Sequence, residues 1–166
     1  MTDKLAALSA KLAENPAVLL ETVATEEGIT LLEAVRCLPE TMWHEIEGDA
    51  FDRIIQALPS LGEVTTVCNT GSMIFEVSGV FPEGTYARGF YNLKKTAGGF
   101  SGHIKADACT SIVFMERPFF TSKTASINFF DAIGACYLKV FLKRDADGNI
   151  LADQLATLKS LVGCAA

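Results

Sequence analysis

The sequence predicts an α+β protein: N-terminal helices, one large antiparallel β-sheet and a C-terminal helix. Three observations predict it. The first sixty residues carry helical apolar spacing with capping signals. From Gly62 onward the chain breaks into seven short β-type segments with no helix between them. The last fifteen residues return to a helical period. The 166 residues are enough for one domain with a sizeable core, read here as 1–166, mainly helical over 1–61 and sheet plus closing helix over 62–166.

At the front, "LAALSAKLAE" sets Leu5, Leu8 and Leu12 at helical spacing. Asn15-Pro16 is a cap and first-turn pair for a helix through "AVLLETVATEE", which Gly28 ends. Thr30 and Glu33 form a capping box for a short helix that stops before Pro39. The segment "TMWHEIEG", holding His44 and the sole Trp, reads as a loop. Phe51, Ile54, Ile55 and Leu58 share one face of a further helix.

The β-type segments are "EVTTVCN", "SMIFEVSGV", "TYARGFYNL", "FSGHIKAD", "TSIVFMERPF", "ASINFFD" and "ACYLKVFLKR". All are rich in β-branched and aromatic residues. "PEGT", "KKTAGG" and "DAIG" suit hairpin connections. Consecutive strands joined this way make an antiparallel sheet or an open barrel. The closing helix places Leu151, Leu155, Leu158 and Leu161 on the face that packs on the sheet.

Composition narrows function. Hydrophobic residues are 49% and charged residues 20% of the chain, a globular balance. No apolar run reaches the roughly 18 residues that span a bilayer, and the N-terminus lacks the order of a signal peptide. The expected location is the cytoplasm, with no membrane partner. Five scattered cysteines without a CxxC pair read as free thiols. Residues 1–60 hold four Lys or Arg against eleven Asp or Glu, so the front half repels phosphate backbones. The helix–turn–helix spacing over residues 17–38 therefore predicts no nucleic-acid contact, with Arg36 as its sole cation.

Most motifs resolve to structure. "DADGNI" has its Gly too early for a calcium loop and Ala156 where the bidentate Glu belongs, so it reads as a turn. Neither a phosphate loop, a nucleophile elbow nor a dinucleotide fingerprint is present. Asp107 and Glu116, imaginable as an acid–base pair, read as solvated strand ends.

His103 is different. Alternation sends Phe100, Gly102, Ile104 and Ala106 to a core face and Ser101, His103, Lys105 and Asp107 to the other. Val113, Met115 and Arg117 share a face of the strand after Cys109, as Tyr86, Arg88, Phe90 and Asn92 do in "TYARGFYN", although which strands are neighbours is not readable from sequence. An imidazole for iron, cations for two propionates and aromatics for a porphyrin are what a haem site needs. Pattern alone leaves two readings of His103, a structural residue or a ligand.

The segments "SGVFPEGTYARGFYNL", "GGFSGHIKADAC" and "ERPFFTSKTASINFFDAIGACYLKVFLKRD", in that order, resemble the HutX/ChuX intracellular haem-carrier proteins from about Pro16 to the end. The resemblance implies a cytoplasmic homodimer that binds haem and passes it to degrading enzymes or other acceptors, without being an enzyme itself. It makes His103 the proposed iron ligand. Arg88, Lys105 and Arg117 are propionate candidates on alternation and charge. Where some members have a second histidine, in a pattern similar to "TTVVH", this chain has "TTVCN", with Asn69 in its place. Neutral Asn is a poor iron ligand. Either His103 binds alone, or another group completes the iron; Cys68 is one such group, but alternation turns it away from Asn69. The rival readings are a haem-degrading or tetrapyrrole-reducing enzyme, and a structural dimer with weakened haem binding.

Overall fold

Six strands of the computed structural model form one antiparallel sheet in the order β1-β7-β8-β9-β2-β3: β1 Trp43–Glu47, β2 Glu63–Asn69, β3 Ile74–Val80, β7 Ser111–Phe119, β8 Ser122–Phe130 and β9 Cys136–Leu142. A second antiparallel sheet holds β4 Gly84–Ala87, β5 Phe90–Leu93 and β6 Gly102–Lys105, in sequence order. The structure describes residues 2–95, 100–105 and 107–164. Most of the expected "KKTAGG" connector, and Ala106 of the expected core face, lie outside the described residues.

Two cores flank the large sheet. On one face, α4 (Phe51–Ala57), α5 (Ala152–Val162) and the small sheet enclose Phe51, Ile54, Leu58, Tyr91, Phe129 and Leu158. Phe51 meets both Tyr91 and Phe129 edge-on, at 6.1 and 5.7 Å between ring centroids, so it joins the two sheets. On the other face, α1 (Thr2–Glu14), α2 (Leu20–Glu27) and α3 (Leu31–Arg36) pack Leu8, Leu12, Leu20 and Val35 onto Val113, Met115 and Phe130. The α+β prediction holds, with the strands divided between two sheets.

Four local expectations change. The segment around His44 is a strand, not a loop, and β1 pairs with β7 along its full length. "TYARGFYNL" is a hairpin, not one strand: Ala87 pairs with Phe90 across Arg88-Gly89. "PEGT" does not close a hairpin; it carries the chain from the large sheet to the small one. The helix expected after Asn15 starts late, at Leu20. The reason is that the carbonyls of Pro16 and Val18 accept hydrogen bonds from Arg117 and so leave the helical path. The capping box of Thr30 and Glu33 is complete, and Gly28 ends α2 in the left-handed region at φ 60°.

On α5, Leu158 is fully buried and Leu155 and Leu161 partly so, but the central contact is Gln154, 4% exposed. Its Nε2 donates to the carbonyls of Leu61 and Glu63, both at 2.8 Å, and its Oε1 accepts from the Lys143 amide at 2.9 Å. One side chain thereby fastens the helix to the start of β2 and the end of β9.

Candidate functional site

The small sheet presents its chemistry outward. Its inner face, with Tyr91, Leu93, Phe100 and Ile104, belongs to the main core. Its outer face carries Phe90, Asn92, His103 and Lys105, because Asn92 stands directly opposite His103 and Phe90 opposite Lys105. This is the face that alternation assigned to His103.

The hairpin that supplies Phe90 and Asn92 turns on Arg88 and Gly89, at φ 56° and 81°. Positive φ at both central residues matches the right-handed strand twist in a two-residue hairpin. Arg88 occupies a conformation that favours glycine or asparagine. It is exposed at the hairpin tip, and its guanidinium has no partner among the described residues.

His103 is exposed, yet its ring is held. Nδ1 lies 2.6 Å from Asn92 Oδ1. The Phe90 ring meets the imidazole edge-on at 6.1 Å. Asn92 Nδ2 donates to the carbonyls of Thr85, Ala87 and Phe90, at 3.2, 3.1 and 2.9 Å. Lys105 is exposed, with its ammonium 3.7 Å from Asp107. Asn92 is the residue that sequence reasoning missed as a partner. The signal was present in the paired segments "FYNL" and "GHIK", but using it required the register.

Arg117 does not join this group. It lies on β7 in the large sheet, on the face turned to α1–α3, whereas the small sheet packs on the opposite face. Its side chain is 7% exposed and Nη1 donates to the carbonyls of Pro16, Val18 and Pro118, at 2.6, 3.1 and 3.3 Å. The guanidinium also covers the Phe119 ring at 5.2 Å. Burial pulls its pKa down, opposed by the charge of Glu21. Within one chain Arg117 therefore stands apart from His103: it ties the start of α2 to the sheet.

Asn69 shares the helix-facing side of the large sheet with Arg117. The two line an apolar cleft with Leu19, Val67, Ile74 and Phe141. Asn69 Oδ1 accepts from the Gly71 amide at 2.8 Å and so serves the β2–β3 turn. Cys68 points the other way, into the main core, and burial raises its pKa, which disfavours a thiolate. Lys139 and Glu21, paired with each other, line the same cleft. Of the other residues weighed, Glu116 pairs with Lys123 and Lys159. Asp145 accepts from the amides of Asp147 and Asn149, closing a turn.

The haem-utilisation ChuX/HutX family model matches residues 44–161. The chain is 32% identical over 150 residues to the intracellular heme transport protein HutX of Vibrio cholerae, covering 90% of this chain and 78% of that one. The chain belongs to the ChuX/HutX family. Its fold is similar to a crystal structure of a protein from Erwinia carotovora, with a TM-score of 0.89 at 36% identity, covering 94% of this chain and 96% of the other. It is similar also to the heme-binding protein ChuX, with a TM-score of 0.84 at 40% identity and coverage of 94% and 97%. The fold of this chain is thus that of the ChuX/HutX-type structures it resembles over 94% of its length.

Proposed function

We propose that this protein binds haem in the cytoplasm and carries it to downstream acceptors, including haem-degrading enzymes, without itself degrading it. Family membership supports the cargo, and the heme-transport role of the HutX relative supports the carriage. The observation that carries the assignment to a residue is His103: an exposed imidazole, oriented by one hydrogen bond through Nδ1, which leaves Nε2 without a protein partner among the described residues.

The donor set fits haem. Imidazole is a common axial ligand for haem iron. Phe90 offers an apolar edge beside it, and Arg88 and Lys105 are exposed cations on the same small sheet, suited to carboxylates. Asn69 lies on the other side of the fold, so among the described residues His103 is the histidine that one copy offers there. Single ligation on an open face suits a carrier, since cargo that is gripped from both sides leaves slowly.

All 166 residues act in this reading as one haem-carrier unit, working as a homodimer. The edge strand β3 supports the dimer: Ile74 and Phe75 are 58% and 55% exposed, on opposite faces of an unpaired edge. No helix among the described residues is long and apolar enough to cross a membrane.

A haem titration of the wild type and His103→Ala tests the ligand. The expected result is a displaced Soret band and weaker binding in the variant; identical spectra and affinities would remove His103 from the iron. Incubating the haem-loaded protein with a reductant and oxygen tests the carrier reading. Steady loss of the Soret band with release of a tetrapyrrole product would make it an enzyme.

A further inference from the structure

We propose that Asn92 determines which nitrogen of His103 is offered to iron, fixing the ring as the Nδ1–H tautomer with the lone pair on Nε2. The proposal rests on the reading of His103 as the haem ligand and adds to it a positioning residue.

The argument is one of hydrogen-bond inventory. The Asn92 amide nitrogen lies within 3.2 Å of three backbone carbonyls, those of Thr85, Ala87 and Phe90. Carbonyl oxygens only accept. Flipping the amide would set Oδ1 against all three, so the orientation is forced: Nδ2 faces the backbone and Oδ1 faces His103. Oδ1 likewise only accepts, and Nδ1 is 2.6 Å away. Nδ1 must therefore carry the proton. In the neutral ring the remaining lone pair is then on Nε2, at the end of the imidazole remote from Asn92.

The register makes this a fixed relation. Asn92 and His103 are directly opposed on β5 and β6, and the two N–H groups of the amide, shared among three backbone carbonyls, anchor it to its own hairpin. Metal-bound histidines commonly donate their second N–H to a carbonyl or carboxylate, which holds the ring and strengthens the ligand. An amide oxygen is a weaker acceptor than a carboxylate. It orients the imidazole without pushing it toward imidazolate, the condition for a ligand that must later let go.

The test begins without haem. In the full-length ligand-free protein with 15N-labelled histidine, long-range 15N–1H correlation should show His103 protonated at Nδ1. Asn92→Leu, which keeps the side-chain bulk but has no acceptor, should lose that preference. Asn92→Asp keeps an acceptor for Nδ1 and should retain it, with a lower melting temperature because its second oxygen meets the carbonyls of Thr85, Ala87 and Phe90. With haem, Asn92→Leu should bind about 10–100-fold more weakly, while Asn92→Asp, the stronger acceptor, should bind ferric haem at least as tightly as the wild type does and shift the iron reduction potential negative. An Nε2–H ring in the wild type would overturn the proposal, and so would an unchanged tautomer in Asn92→Leu. Equal loss of haem in both variants with wild-type tautomers would reduce Asn92 to a hairpin residue and also overturn it. If the tautomer follows Asn92 as stated but His103→Ala binds haem like the wild type, the hold of Asn92 on the ring stands and the ligand reading fails.

Discussion

His103 and Asn69 project from opposite sides of the layered fold. His103 stands on the outer face of the small sheet, beyond the main core, and Asn69 on the side of the large sheet that faces α1–α3. A histidine restored at position 69 cannot share an iron with His103 of the same chain. For Asn69→His we expect a wild-type haem spectrum at protein concentrations where the chain is a monomer. A low-spin, six-coordinate spectrum should grow in only as copies associate. Its appearance in dilute monomer would sink the geometry.

Arg88 separates the demands of folding from those of binding. Its positive φ costs a non-glycine residue about 1 kcal/mol, so Arg88→Gly should leave the melting temperature unchanged or raise it. If the guanidinium meets a propionate, the same variant should bind haem more weakly and with less salt dependence. Calorimetry and haem titration at two ionic strengths read the two effects; unaltered haem binding would remove Arg88 from the site.

Gln154 should be intolerant of an apolar substitute. Gln154→Leu leaves the carbonyls of Leu61 and Glu63 and the amide of Lys143 without their partner. Unsatisfied buried groups cost about 1–3 kcal/mol each, and partial hydration at the sheet end reduces the sum. The expected loss in urea denaturation is about 2–4 kcal/mol. A variant as stable as the wild type would show that these groups are satisfied by water instead.

Gly48 is needed for clearance. A Cβ there would stand 2.3 Å from the Cys109 carbonyl oxygen and 2.8 Å from the Thr110 carbonyl carbon, backbone atoms that cannot rotate aside. Gly48→Ala should cost about 1–3 kcal/mol, seen as a lower midpoint in thermal unfolding. Gly71→Ala, although at φ 83°, meets open space, so its cost should be one of backbone strain alone.

Acid should destabilise the protein through two carboxylates. Burial acts to raise the pKa of Glu21, but Lys139 and Arg117 outweigh it and the net shift is downward from 4.5. Glu116 is likewise lowered against its burial by Lys123 and Lys159. A carboxylate whose pKa is lower in the folded state stabilises fully above its unfolded value. That contribution is lost as pH falls from about 4.5 through the lowered values. Lys139→Met removes the main counter-charge of Glu21, so the variant should be less stable than the wild type at neutral pH, and the gap should narrow as the pH falls below about 4.5. A gap that is the same at about pH 7 and at about pH 3 in urea denaturation would mean that the pair is not coupled to folding.

The legible part of this protein was the part written in local pattern. The Thr30–Glu33 capping box, the Gly28 stop and the alternation that turned His103 outward all act within a few residues, and all are present. What was not legible depends on pairing. Residues 43–47 form a strand only because β7 lies alongside; alone, the acidic "WHEIE" has no strand-like composition. Arg88-Gly89 is a hairpin turn whose first residue carries no glycine or asparagine signal. Gln154 sits among leucines on α5, and nothing local marks it as the buried contact. Arg117 and His103 both alternate correctly on their strands, but assigning those strands to different sheets takes the whole chain.

The buried guanidinium of Arg117 has a consequence for the cleft beside it. Three carbonyls, two of them from the stretch leading into α2, converge on one nitrogen that has few other acceptors. Lifting the start of α2 from the sheet would break these bonds together. The chain leading into α2 is therefore moored to β7 by one side chain, and that wall of the cleft is tied to the sheet itself.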